Sequence, residues 1–300
     1  MVYKKFINNF KVSNICFGTW GLSPSTKRFK SPEKYSKKKA EILISYALTK
    51  GVNFFDTADI YGEGIGEQVL GQQLIGIRKK IFIMTKGGII DEKNNKNFSI
   101  QYIKKKIKLS LKNLNTDYLD GYQLHNLESK DNIKTLLKVL KGYKKKKIIR
   151  SIGFSSRDPF DAIKIIKKHN FDFFQVGFSI YDQRLVTSGL LSEVKKNKIF
   201  LLTRSPFNCG YLSNKNTRKL FNSEFKIKID NFKKKNMKYL VYSSKSLEYS
   251  ALKYCISFKN ITSVIVGMTS KLQIDKNVRV VYHNNTKEKK WKKKLKNIYE

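Results

Sequence analysis

Short, almost continuous apolar runs recur along the 300 residues, and amphipathic stretches of a different period separate them. The runs are Ile15 to Phe17, Val52 to Phe55, Ile81 to Met84, Tyr118 to Leu124, Ile148 to Phe154, Phe171 to Val176, Ile199 to Thr203 and Ser263 to Val266. Uninterrupted apolar character over so few residues suits a parallel strand covered on both faces. Between the runs, Ala40, Leu43, Ile44 and Ala47 recur at helical spacing within Ser36 to Lys50, and Val69, Leu70 and Leu74 share one side of the next helix. Ile103, Ile107, Leu111 and Leu114 repeat the pattern, with further helices over Lys130 to Lys145, Pro159 to Lys168 and around Leu247, Ala251, Tyr254 and Cys255. Alternation of strand and helix is the signature of a parallel α/β fold, and eight strands of this kind predict a closed (β/α)8 TIM barrel.

The rest of the chain frames that barrel. Tyr3 to Phe6 and Phe10 to Val12, joined through Asn8-Asn9, predict an N-terminal β-hairpin, while residues 23 to 35, with Pro24 and Pro32, form an insertion before the first helix. Residues 211 to 243 are too polar and irregular for one element. The basic tail, about 284–300, is either a helix packing Trp291 and Leu295 or a disordered end. No linker splits residues 1–300, so they read as a single domain, and an α/β barrel commonly takes about 250 residues plus insertions.

Composition changes the picture in two places. Three cysteines, Cys16, Cys209 and Cys255, are odd in number and far apart, which argues for reduced thiols in a cytosolic setting. The amino end lacks the apolar core of a secretory signal and no segment approaches the roughly 20 apolar residues of a spanning helix, so the expectation is a cytoplasmic protein with no membrane partner. The net charge of +39 is the second point. Nucleic acid is the obvious partner for such a charge. Against it, Lys, Asn, Ile, Phe and Tyr are abundant together, as AT-rich codon bias would produce, and the lysines are spread over nearly every helix instead of forming one face.

Candidate chemistry gathers at strand ends, where a β/α barrel sites its function. Asn53-Phe-Phe-Asp-Thr-Ala-Asp-Ile-Tyr-Gly62 runs from a buried strand into a glycine-punctuated loop, with Asp56 closing the strand and Tyr61 five residues on. A capping aspartate and a surface tyrosine would look the same. Lys86 ends the third barrel strand ahead of Gly87-Gly88, and His125 ends the fourth, while His169 and His283 lie in polar surroundings. Gly18-Thr19-Trp20-Gly21 closes the first strand with a small residue, a hydroxyl and an indole, a set that can admit a flat ligand or simply fill the core. If the four groups converge, an aspartate that holds a lysine charged, beside a tyrosine whose pKa that lysine lowers from about 10, makes a tunable general acid.

These segments, with Met84-Thr-Lys-Gly-Gly88, Asp117-Tyr-Leu-Asp-Gly-Tyr-Gln-Leu-His-Asn126, Ile152-Gly-Phe-Ser-Ser156, Gln175 and Ser205-Pro-Phe-Asn-Cys-Gly210, resemble the aldo-keto reductase superfamily in order and spacing over roughly residues 12 to 280. The resemblance implies a hairpin plugging the barrel's bottom, variable active-site loops around 23 to 35, 89 to 98 and 211 to 243, and a mobile loop in the last of these over the cofactor. It also implies reduction of an aldehyde or ketone by NADP, with NAD possible, through Asp56, Tyr61, Lys86 and His125. Trp20, Tyr61 and His125 would meet the small carbonyl substrate, and no metal is assigned. Gly18 and Thr19 would approach the cofactor, Ser155, Ser156 and Gln175 would hold its carboxamide, and Arg204 would stand where many members stack an aromatic ring. Ser205, Pro206, Asn208 and Gly210 would border the pyrophosphate, and Gly267, Met268, Thr269, Gln273 and Asn277 the adenosine end. Ser156 replaces the family's usual Asn, and Gln273 is neutral where NADPH-specific members place a basic group. The alternatives are a non-catalytic, nicotinamide-sensing subunit, as in the potassium-channel β subunits that resemble this family, and a basic nucleic-acid-binding protein.

Overall fold

The structure is a computed structural model that describes residues 1–213, 223–242, 245–281, 291, 294 and 295. His283, part of the 211 to 243 segment and most of the basic tail lie outside the described residues.

Eight parallel strands close on themselves. They are β3 (Ile15–Gly18), β4 (Phe54–Asp56), β5 (Phe82–Gly87), β6 (Gly121–Leu124), β7 (Ile152–Ser156), β8 (Phe173–Gly177), β9 (Phe200–Arg204) and β10 (Ile261–Gly267), with β10 pairing β3 so that Gly267 lies opposite Gly18. The antiparallel hairpin β1 (Tyr3–Lys5) and β2 (Lys11–Ser13) stands apart from the barrel sheet. The outer layer is α1 (Lys37–Thr49), α2 (Ile65–Gln73), α3 (Ile100–Asn113), α4 (Ile133–Lys145), α5 (Pro159–Lys168), α6 (Arg184–Thr187), α7 (Leu190–Lys196), α8 (Ser223–Leu240), α9 (Leu247–Ile256) and α10 (Lys271–Val280). The expected (β/α)8 barrel with its N-terminal hairpin is therefore present. Several strands sit later than the apolar runs: β5 runs on through Lys86, β7 through Ser156, and β6 begins only at Gly121.

Side-chain caps, not charge, start most of these helices. Ser36, Ser99, Asn132, Asp158, Ser246 and Ser270 each accept a first-turn backbone N–H ahead of α1, α3, α4, α5, α9 and α10. Such a cap is worth about 1 kcal/mol. It matters here because α1, α3, α4 and α10 carry no acid in the first turn.

Alternation along the strands sorts the core in two. Ile15, Phe17, Phe55, Ile83, Tyr122, Leu124, Phe174 and Val266 face outward into the layer beneath the helices. Cys16, Phe54, Phe82, Met84, Phe173, Leu202 and Ile265 face the barrel axis and join Phe6, Ile7 and Val12 of the hairpin. The Phe6 ring reaches Phe54, Phe82, Phe173 and Phe200 at 5.4, 5.0, 6.0 and 5.0 Å between centroids. One hairpin aromatic thus seals one end of the barrel.

The segment 211 to 243 needs correction. It contains the 18-residue helix α8, which buries Ile229, Asn236 and Leu240 and packs Phe232 edge-on against Tyr181 at 5.2 Å. The inward stripe is narrow and carries an asparagine, so hydrophobic periodicity does not reveal it. Asn236 is tolerated because its Nδ2 donates to the Phe232 carbonyl at 3.0 Å. Of the tail, Trp291 and Leu295 are buried, and the indole N–H donates to the Tyr239 carbonyl at 2.8 Å, which fits the packed alternative and not the disordered one at those residues. Among the described residues no helix is long and apolar enough to cross a membrane.

Candidate active site

At the opposite end from Phe6 the strand interiors turn polar. The backbone past β4 stays laced to β5: the Thr57 N–H donates to the Met84 carbonyl at 2.9 Å and the Asp59 N–H to the Lys86 carbonyl at 3.1 Å. The His125 N–H in turn donates to the Gly87 carbonyl at 3.0 Å. These bonds fix the places from which Asp56, Lys86 and His125 project. Tyr61 lies in the one-turn helix that follows, where Gly62 and Gly64 take φ of 60° and 97°. A Cβ on Gly62 would fall 2.5 Å from Pro24 Cδ, and one on Gly64 2.4 Å from Asn113 Nδ2, so only glycine lets this turn pack down.

The four side chains converge. Lys86 Nζ lies 2.7 Å from Asp56 Oδ2, donates to the Thr57 carbonyl at 2.7 Å, and stands 5.1 Å from the centre of the Tyr61 ring. Tyr61 and His125 meet edge to face with 6.4 Å between ring centres. Asp56 Oδ1 accepts from Gln175 Nε2 at 2.9 Å and from Gln123 Nε2 at 3.3 Å. Burial alone would lower the Lys86 pKa, but the Asp56 carboxylate and Tyr61 reverse this and hold it above the ordinary value, so the amine is charged. Tyr61 departs from expectation. Burial raises its pKa, and this outweighs the Lys86 charge and hydrogen bond that pull it down, so the phenol is a weaker acid than free tyrosine. The expected lowering is present only as the lysine's share. His125 is held well below the ordinary histidine value, first by burial and then by the charges of Lys86, Arg204 and Arg157, so the imidazole is neutral.

The Aldo/keto reductase family model matches residues 14–298 of the chain. The chain belongs to the aldo/keto reductase family. It is 28% identical over 256 residues to the uncharacterized oxidoreductase YqkF of Bacillus subtilis, a match covering 81% of this chain and 82% of the relative. It is 26% identical over 309 residues to a probable voltage-gated potassium channel subunit beta of Arabidopsis thaliana, covering 91% and 89%. Among solved structures, aldo-keto reductase AKR11C1 from Bacillus halodurans in its holo form superposes with a TM-score of 0.82 at 26% identity, covering 98% of this chain and 96% of that one.

Around the tetrad of this aldo/keto reductase, the other expected residues divide between two tasks. Several already serve the protein itself. Thr19 is buried, with its N–H on the Asp56 carbonyl at 3.0 Å. Ser155 Oγ accepts the Asn126 N–H at 3.0 Å and so braces the His125 turn. Ser156 Oγ donates to the Asp158 carbonyl at 3.1 Å, Gln175 is turned onto Asp56, and Gln273 Oε1 accepts the Thr269 N–H at 2.7 Å. Met268 and Asn277 are buried at the barrel's edge. Others are open to a ligand. Gly267 has free space where a Cβ would stand, and beyond β9 Ser205, Asn208 and Gly210 take φ of 62°, 50° and 96° around a buried Pro206. Asn208 Nδ2 is buried there with no partner, and the Arg204 side chain has no ion pair among the described residues. A buried amide and a guanidinium beside a tightly turned loop fit a nucleotide's phosphates.

Trp20 is half-buried, its N–H donating to the Lys30 carbonyl at 2.9 Å. Its ring meets Phe29 at 6.2 Å, and Phe29 meets Tyr61 at 5.8 Å. The 23 to 35 insertion thus delivers Phe29 to the mouth, a residue that sequence reasoning passed over. Gln123 was missed as well. It sits opposite Lys86 in the β5–β6 register and two residues before His125, so counting back by the strand period would have placed it on the same face. Behind the tetrad, Asp59 pairs with Lys106 at 3.0 Å and buried Glu67 accepts from Thr85 at 2.6 Å and Asn113 at 3.0 Å, fixing the backbone that carries Lys86.

Proposed function

We propose that this protein is an NADP-dependent carbonyl reductase that converts an aldehyde or ketone to an alcohol, with Tyr61 as the acid. One observation carries this: the charged Lys86 lies between the Asp56 carboxylate and the Tyr61 ring, at the rim where neutral His125 stands. When bound, the nicotinamide supplies hydride to the carbonyl carbon.

The chain's own residues account for the proton. Tyr61, kept protonated by burial, donates its phenolic hydrogen to the carbonyl oxygen, and Lys86 stabilises the phenolate left behind. Asp56 keeps Lys86 charged and oriented, and the two glutamine amides hold Asp56 in turn. Neutral His125 hydrogen-bonds the substrate oxygen and does not compete as an acid, while Trp20 closes the pocket with Phe29. Arg204, Ser205, Pro206, Asn208 and Gly210 would hold the cofactor's phosphates, with Gly18, Thr19, Ser155, Ser156 and Gln175 walling the nicotinamide side. At the adenosine end, Gly267, Met268, Thr269, Gln273 and Asn277 form the wall, and NADP is chosen over NAD on the habit of the family, Lys271 and Lys276 being the basic residues nearest neutral Gln273 in the chain. Residues 1–300 work as one catalytic domain.

Fluorescence titration with NADPH and NADH, followed by an aldehyde panel, tests the reading. Binding of NADPH below millimolar concentration and its oxidation by an aldehyde are expected; binding of neither nucleotide overturns it. With the phenol above its ordinary pKa of about 10, the reduction rate should stay flat from about pH 7 to 9. A fall centred below pH 8 would contradict the raised phenol. The similarity to a channel β subunit favours a second reading, a nicotinamide-sensing subunit. Nucleotide binding without turnover, together with capture of a channel-like partner, would select it.

A further inference from the structure

At the turn that follows His125 lies a cavity of about 320 Å³, lined not by the tetrad itself but by residues that include Asn126, Glu128, Ser129, Ser156, Arg157 and Asp161. That volume is at the small end of the roughly 300–1,000 Å³ usual for ligand pockets, so it suits a small molecule. The wall is polar, and its carboxylates are already engaged. Glu128 pairs with Lys96 and, at 2.9 Å, with Lys130; Asp161 accepts the N–H and the hydroxyl of Ser129; and Asp158, also in the wall, accepts the Phe160 N–H at 2.9 Å.

Arg157 differs from all of them. It follows Ser156 at the carboxyl end of β7, is exposed enough for a ligand to reach, and has no hydrogen-bond or carboxylate partner among the described residues. It lines the cavity together with Asn126, the residue after His125, whose N–H is held by Ser155 Oγ at 3.0 Å, so Arg157 and His125 stand on the same rim. With Arg204 given to the cofactor, Arg157 is the uncommitted guanidinium at an active-site mouth whose Asp56–Lys86 pair is itself neutral. A planar fork of N–H donors without an acceptor is matched by a carboxylate or phosphate.

Resting on the carbonyl-reductase reading, we propose that the substrate is an anionic carbonyl compound, bearing a carboxylate or a phosphate, and that Arg157 binds that group while the carbonyl lies at Tyr61 and His125. An anion bound at Arg157 would offset the repulsion between it and Arg204.

The test compares matched pairs at saturating NADPH: succinic semialdehyde with butanal for the carboxylate, and glyceraldehyde 3-phosphate with glyceraldehyde for the phosphate. In at least one pair kcat/KM should favour the anion by about tenfold or more, the scale of a charge-assisted pair. Arg157→Gln should cut that ratio by about tenfold, mainly through KM, and Arg157→Lys should keep part of it. Should the glutamine variant fail to fold, unmodified enzyme gives a second readout, because a preference of charge origin must shrink as salt rises. Turnover with no preference in either pair overturns the inference, as does a ratio that neither Arg157→Gln nor salt alters, and the reductase reading survives these results. Bound NADPH with no aldehyde reduced at all defeats both.

Discussion

Two aspartates, one near each end of the barrel, are almost fully buried and differ in what surrounds them. Asp120, just before β6, accepts from Arg78 at 2.7 Å, from Arg150 at 3.1 Å and from the Ile83 N–H at 3.0 Å, and both guanidiniums lie on the Tyr118 ring at 4.2 and 3.6 Å. Every partner belongs to the scaffold, and of the two guanidiniums Arg150 is the more exposed. Asp56 has Lys86 and two glutamine amides, but its lysine is shared with Tyr61, and at the same end His125 Nδ1 is buried without a partner among the described residues. Buried polar groups are normally satisfied, and the Tyr118 hydroxyl beside Asp120 is an exception at the other end, so what sets the Asp56 end apart is the lysine it shares with Tyr61. The same strands thus carry a closed structural network at one end and an open chemical one at the other.

The sharpest way to break the comparison is Tyr61→Phe. Removing one hydroxyl at the open end should lower kcat by about a thousandfold, within the range for a lost general acid, with little change in melting temperature and with NADPH still bound. Retention of most activity would show that another group supplies the proton. Asp120→Ala should do the reverse. Breaking a sealed ion pair costs about 3–5 kcal/mol, but the partly exposed Arg150 can turn to water, so a loss of about 2 kcal/mol is expected with kcat per folded molecule retained. Denaturant unfolding alongside kinetics separates the two outcomes, and a variant that is stable but inactive would contradict the division.

Asp59 gives the smallest and most specific test. Burial, against the pull of Lys106, raises its pKa to about 7. Between the ordinary value near 3.9 and about 7, the folded chain binds a proton that the unfolded chain releases, so stability falls as pH rises through that window and stays lost above it. Asp59→Asn removes the penalty. Its melting temperature relative to the parent should therefore improve from pH 5 to pH 8, and a difference that does not change with pH would show that Asp59 is ionised throughout.

Much of this was legible before any coordinates. Asp56 and His125 announce themselves because polarity begins abruptly after apolar runs, and that boundary is the strand end. Lys86 was legible for the same reason, although β5 continues past it. The helix α8 was not, since Asn236 interrupts its buried stripe and propensity gives no sign that a neighbouring carbonyl will satisfy it. The direction of the Tyr61 shift was equally hidden. Sequence identifies the lysine that lowers the value, but only packing reveals how much water the phenol has lost. Gln175 and Ser156 illustrate a related limit: their types suit a ligand's amide, yet here they bond to Asp56 and to their own turn.

The contact of Pro24 with the bare backbone of Gly62 ties two jobs that an engineer would wish to keep apart. Residues 23 to 35 bring Phe29 to the Tyr61 ring at the mouth, and the same segment presses on the turn that carries Tyr61, the proposed acid. Redesigning that loop for a bulkier guest would shift Tyr61 along with the doorway. Screens for altered preference should therefore recover compensating changes near Tyr61 as often as changes in the loop itself.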